Sequence, residues 1–129
     1  QDSGMPQPSS VYRIAVRGTP HVLASRARWA RSVAQRLVGL IGCTRLEPGQ
    51  GLIIPACRSI HTCFMRIPID AVFVDQSWRV VKLYRQLVPW RLSATVWEAW
   101  AVVELPAGRL DQVPLKVGDQ LLVETLKFT

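Results

Sequence analysis

Residues 59–75 read SIHTCFMRIPIDAVFVD, and this stretch decides the fold. Two apolar segments rich in β-branched and aromatic side chains, SIHTCFM and IDAVFVD, flank the short Arg66-Ile67-Pro68 connection, which predicts a β-hairpin with an irregular turn. Residues two apart in a strand share a face, so His61, Cys63 and Met65 are expected to point the same way. Imidazole, thiolate and thioether form a soft donor set that suits copper(I). Ordinary inward packing of Cys and Met accounts for the same pattern, and no metal or other cofactor is assigned on it.

Downstream, Asp75-Gln76-Ser77 supplies a turn, and RVVKLYRQLV continues the meander. Residues 89–99 have no clean period and carry scattered tryptophans, which predicts a loop partly held by aromatics. WAVVEL is a further strand, PAGRLDQVP a turn-rich connection and DQLLVETLKF the last strand. Asp70 and Glu104 both interrupt apolar surroundings, and a carboxylate in such a place needs a donor. If either meets His61 or an arginine across the sheet, the group is a perturbed acid–base centre or a structural brace. The brace is the favoured reading. Cys63 as a nucleophile would need activation that its spacing from His61 does not establish.

Upstream, Val11 to Val16 alternates and stops at Gly18 and Pro20, as a strand does. From Ser25 to about Ile41 the spacing of Trp29, Val33, Leu37 and Leu40 predicts an amphipathic helix with Ser25 as N-cap and either Gly42 just beyond its end or an earlier end at Gly39. EPGQG then forms a turn and GLIIP a short strand. Residues 1–10, rich in Pro, Ser and Gln, read as a disordered tail before a single domain over 11–129.

Composition narrows the function classes. The chain has 129 residues, 49% of them hydrophobic, and a net charge of +7. That charge favours approach to polyanions, with Arg26, Arg28 and Arg31 as the candidate contacts, although a solvated basic surface is an equal explanation. Cys43, Cys57 and Cys63 contain no CxxC pair, which points away from a disulfide framework or a structural zinc site. No run reaches the roughly 20 apolar residues of a membrane span, and a cytoplasmic location is expected unless an export leader has been removed. Phosphate-binding, dinucleotide, nucleophile-elbow and zinc-protease motifs are absent from the sequence.

The ordered series RLVGLIGCTRLEPGQGLIIP, SIHTCFMRIPIDAVFVD, RVVKLYRQLVPWR, AVVELPAG and LKVGDQL resembles the domain-of-unknown-function 192 family over residues 11–126. The resemblance implies a compact β-rich α+β domain without an established catalytic activity. It maps family features onto His61, Met65, Pro68 to Asp70, Glu104, Pro106, Gly108, Gly118 and Asp119. Trp90 to Trp100 depart from the family pattern.

The fold expected is α+β, a mostly antiparallel, curved or barrel-like sheet packed by one N-terminal amphipathic helix. The function expected is a non-catalytic binding or accessory module, with a protein or small ligand as partner. Its face joins the His61–Asp70 hairpin to the Glu104–Gly108 turn, and its candidate cluster is His61, Cys63, Met65, Asp70, Glu104 and Gly108. The alternatives are a metal protein or enzyme using His61, Asp70 and Glu104, and a nucleic-acid or polyanion binder.

Overall fold

The computed structural model describes residues 10–29, 46–55, 68–87 and 96–126. They form one seven-stranded mixed sheet: β1 Val11–Val16, β2 Val22–Trp29, β3 Gln50–Pro55, β4 Ile69–Val74, β5 Val80–Leu87, β6 Ala101–Pro106 and β7 Leu121–Leu126. A short helix, α1 Arg109–Gln112, stands between β6 and β7 within what the sequence presents as a turn-rich connection. The order across the sheet is β5-β4-β6-β3-β2-β1-β7, and every pair is antiparallel except β2 with β3.

The helix expected to start at Ser25 is corrected for its first turn, because Ser25–Trp29 is the second half of β2. The Arg26 N–H donates to the Gly49 carbonyl at 2.8 Å, and Arg26 to Trp29 run in register with Gln50 to Ile53. Backbone groups that would have closed helical rings bond to neighbouring strands instead. Over five residues the apolar spacing fits both periods: Ala27 is buried and Trp29 packs on the core, while Arg26 and Arg28 are exposed. The rest of that helix, residues 1–9 of the expected tail, the SIHTCFM segment and Trp90 lie outside the described residues.

The sheet is curled without being closed. Its edge strands approach where each begins, through an antiparallel bridge between Arg79 and Gln120. Around it Val80 N–H donates to the Asp119 carbonyl, Leu121 N–H to that of Trp78 and Gly118 N–H to that of Val80, each at 2.8 Å.

Every residue of β4, and every residue of β6 except the half-buried Pro106, is buried because alternate side chains enter two separate cores. Val72, Val74, Val103 and Leu105 join Ile14, Leu23, Ile53 and Leu110 on one face. Ile69, Ala71, Phe73 and Val102 join Ile54, Val96 and Ala99 on the other. Strands covered on both faces read as continuous apolar runs, which is why IDAVFV and AVVEL are so legible. Each fully buried Val, Leu, Ile or Phe contributes about 1.5–3 kcal/mol.

Three tryptophans close one rim of the first core. Trp29, Trp78 and Trp100 touch pairwise, with ring centroids 5.6 to 6.1 Å apart, and Tyr12 lies 6.2 Å from Trp29. Trp78 reaches this position from a turn with φ 64°, a conformation that L-residues seldom adopt. The turn is braced by Asp75, whose Oδ1 accepts the Ser77 and Arg79 N–H groups at 2.8 and 3.0 Å.

Candidate functional site

β6 pairs with β4 on one side and β3 on the other, so Glu104 faces both Ala71 and Leu52, and Ala71 in turn faces Tyr84 of β5. Leu52, Glu104, Ala71 and Tyr84 therefore make one row on the face of the second core. Glu104 is only 1% exposed, and its Oε2 has no hydrogen-bond partner among the described residues. Burial disfavours the charged form and pushes its carboxyl up to about 8, so near neutral pH the group holds its proton. A protonated carboxyl both donates and accepts a hydrogen bond.

Asp70 is 0% exposed and pairs with Leu105, which places it on the first-core face. Its Oδ1 accepts the Gln86 N–H and its Oδ2 the Leu110 N–H, both at 2.8 Å. Gln86 has φ 53° and lies where the β4–β5 register slips, so the carboxylate fixes an irregular end of β5. Leu110 is the second residue of α1, whose N-cap is Gly108 at φ 93° with no side-chain cap. Asp70 thus serves as a cap acceptor from another strand, satisfying an N–H that a helix start leaves orphaned. Arg109 fastens the same turn to β2, with Nε donating to the Leu23 carbonyl at 3.0 Å and Nη2 to that of Val22.

Of the sequence-predicted cluster, Asp70 and Gly108 come together through α1, whereas Glu104 projects from the opposite face. His61, Cys63, Met65 and Arg31 lie outside the described residues. Arg26 and Arg28 are exposed, in register with Gln50 and Leu52 on the Glu104 side of the sheet. Among the described residues no three His, Cys, Asp or Glu side chains gather as metal ligands. Sequence reasoning missed the amides of Gln86 and Leu110, the partners that define what Asp70 does. Only the acid embedded in an apolar run signalled that such partners were needed.

The fold and its buried carboxyls define a small sheet-dominated domain with no assembled catalytic centre among the described residues. The chain belongs to the DUF192 family, described as uncharacterized ACR, whose model matches residues 14–123. It is 31% identical over 104 residues to a UPF0127 protein of Thermococcus sibiricus, covering 78% of this chain and 67% of that one. A UPF0127 protein of Pyrococcus furiosus is 38% identical over 63 residues, covering 49% of this chain and about half, 53%, of the relative. Two crystal structures share the fold. A protein of unknown function from Novosphingobium aromaticivorans aligns at TM-score 0.71 with 25% identity, over 92% of this chain and 91% of that one. A candidate transcription regulator from Sinorhizobium meliloti aligns at TM-score 0.72 with 20% identity, over 88% and 92%. The family is uncharacterised, and no catalytic function is indicated by these relatives.

Proposed function

We propose that the protein is a non-catalytic binding or accessory module, one domain over residues 11–129, that reads its ligand with the protonated carboxyl of Glu104. The observation carrying this reading is the buried Oε2, which has no hydrogen-bond partner among the described residues. Leaving such an atom unsatisfied costs about 1–3 kcal/mol, a large part of the 5–15 kcal/mol that holds a domain together. A ligand group that exchanges hydrogen bonds with a neutral carboxyl, such as an amide, supplies what the described residues do not. Asp70, the other buried acid described, has both oxygens engaged by backbone amides on the opposite face, which leaves Glu104 as the carboxyl open to a ligand in this reading. The Pro68–Asp70 and Glu104–Gly108 segments adjoin through the Ile69–Pro106 and Asp70–Leu105 pairs, forming the edge of the binding face. No described helix is long and apolar enough to cross a membrane.

The test is a set of amide-bearing fragments titrated into labelled protein at pH 6.5 while backbone resonances of Leu52, Ala71 and Tyr84 are followed. Saturable shifts there that disappear in Glu104→Leu support the reading. Equal shifts in that variant refute it.

A second reading rests on Arg26 and Arg28, exposed on the same face of β2. A polyanion held there loses affinity steeply with salt. Binding of a short oligonucleotide that is flat between 50 and 200 mM salt removes this alternative.

A further inference from the structure

A cavity of about 360 Å³ opens between the Asp75–Ser77 turn and the Trp97–Trp100 segment. Val74 pairs with Ala101 beside it, whereas Ile69 pairs with Pro106 at the far end of the same two strands. It is therefore about 17–20 Å, one strand length, from the Pro106–Gly108 turn. The walls include two carboxylates, Asp75 and Glu98, and two indoles, Trp97 and Trp100, and among the described residues no cationic side chain. That is an unusual concentration of negative charge on a chain of net charge +7.

Neither carboxylate has an ion-pair partner among the described residues. Arg79, the cation nearest in sequence to Asp75, turns its guanidinium to the Gly118 carbonyl at 2.9 Å. Asp75 is held in place by the Ser77 and Arg79 amides. Trp100 is held by Trp29 and Trp78 and by its backbone N–H, which donates to the Val74 carbonyl at 2.7 Å. Trp97 is 73% exposed, the most exposed of the large apolar side chains described.

We infer that this recess is a binding site for an organic cation, an alkylammonium or guanidinium group lying against the indoles and neutralised by Asp75 and Glu98. Indole faces attract cations whose hydration is weak, and tryptophan does so best of the aromatic residues. Hard divalent metals instead require six or more oxygen ligands and gain nothing from ring faces. The volume lies within the range of small-ligand sites. The cation has two sources, a free small molecule or an Arg or Lys side chain on a peptide, and both present the same chemistry.

The full chain is titrated with methylguanidinium chloride, tetramethylammonium chloride and an arginine-containing peptide, each against matched sodium chloride, while the Trp97 and Trp100 indole N–H signals are followed. Saturable shifts beyond the salt control are expected, with affinity about three- to tenfold weaker in Trp97→Ala and in Glu98→Gln. Both side chains are exposed, so an unchanged melting temperature will show that the variants fold. Tighter binding of the peptide assigns the site to a protein partner and equal binding to a free cation, and either upholds it. Shifts no larger than those in sodium chloride, or affinities unchanged in both variants, overturn it.

Discussion

Glu104 and Asp70 lie on adjacent strands one residue out of step, Glu104 opposite Ala71 and Asp70 opposite Leu105, so their carboxyls project from opposite faces of one sheet. Their surroundings give them different work. Asp70 receives two backbone N–H groups, and the Oε2 of Glu104 receives none among the described residues.

The first expectation concerns pH. The unfolded chain releases the Glu104 proton near 4.5, whereas the folded chain keeps it to about 8. Between those values the folded state binds the extra proton, so stability is highest at the acid end and falls as pH rises, by up to about 1.4 kcal/mol per pH unit from this group. Above about 8 the contribution levels off. Urea midpoints of wild type and Glu104→Gln between pH 5 and 9 should diverge with rising pH, the glutamine variant having the flatter curve.

Asp70→Ala should be costly in a different way. It strands the N–H groups of Gln86 and Leu110, and the expected loss is about 3 kcal/mol. Chemical denaturation measures the total. Hydrogen exchange should show the amides of Gln86 and Leu110 accelerated before those of Val72 and Val103.

Trp29 touches Tyr12, Trp78 and Trp100, the other described members of the aromatic rim. Trp29→Ala should cost about 3 kcal/mol. Near-ultraviolet circular dichroism should lose most of its tryptophan signal while the far-ultraviolet strand signal persists.

Two glycines separate crowding from backbone strain. A Cβ on Gly51 would stand 3.2 Å from Ala24 Cβ and 3.4 Å from the Glu104 carbonyl oxygen, so Gly51→Ala should cost about 1–2 kcal/mol by overpacking. Gly108 has open space but φ 93°, and Gly108→Ala should cost about 1 kcal/mol by conformation alone. Melting curves of the pair, with a double variant near additivity, check both.

The strands at 50–55, 69–74, 80–87, 101–106 and 121–126 were readable because apolar runs bounded by turn residues carry their own signal. Ser25–Trp29 misled because its partner β3 follows an intervening stretch, with Ser25 and Gly49 already 24 residues apart, and strand pairing overrode a locally helical pattern. The helix α1 escaped notice because its start is capped by Asp70, 40 residues earlier in the chain. Parity within one strand tells which residues share a face. Whether Asp70 and Glu104 share one depends on the register between strands, and no local pattern encodes it.

The pairing of β1 with β7 brings together residues such as Arg13 and Glu124, 111 positions apart. During synthesis at ~5–20 residues per second, β1 waits on the order of ten seconds for that neighbour. Through that interval the β1–β2 hairpin presents an unpaired edge, carrying Tyr12, Ile14 and Val16, to whatever else is in reach. Arrival of β7 is thus the event that removes this edge from the pool of clients a chaperone would hold. Truncation within β7 should prolong that association more than truncation within the first ten residues.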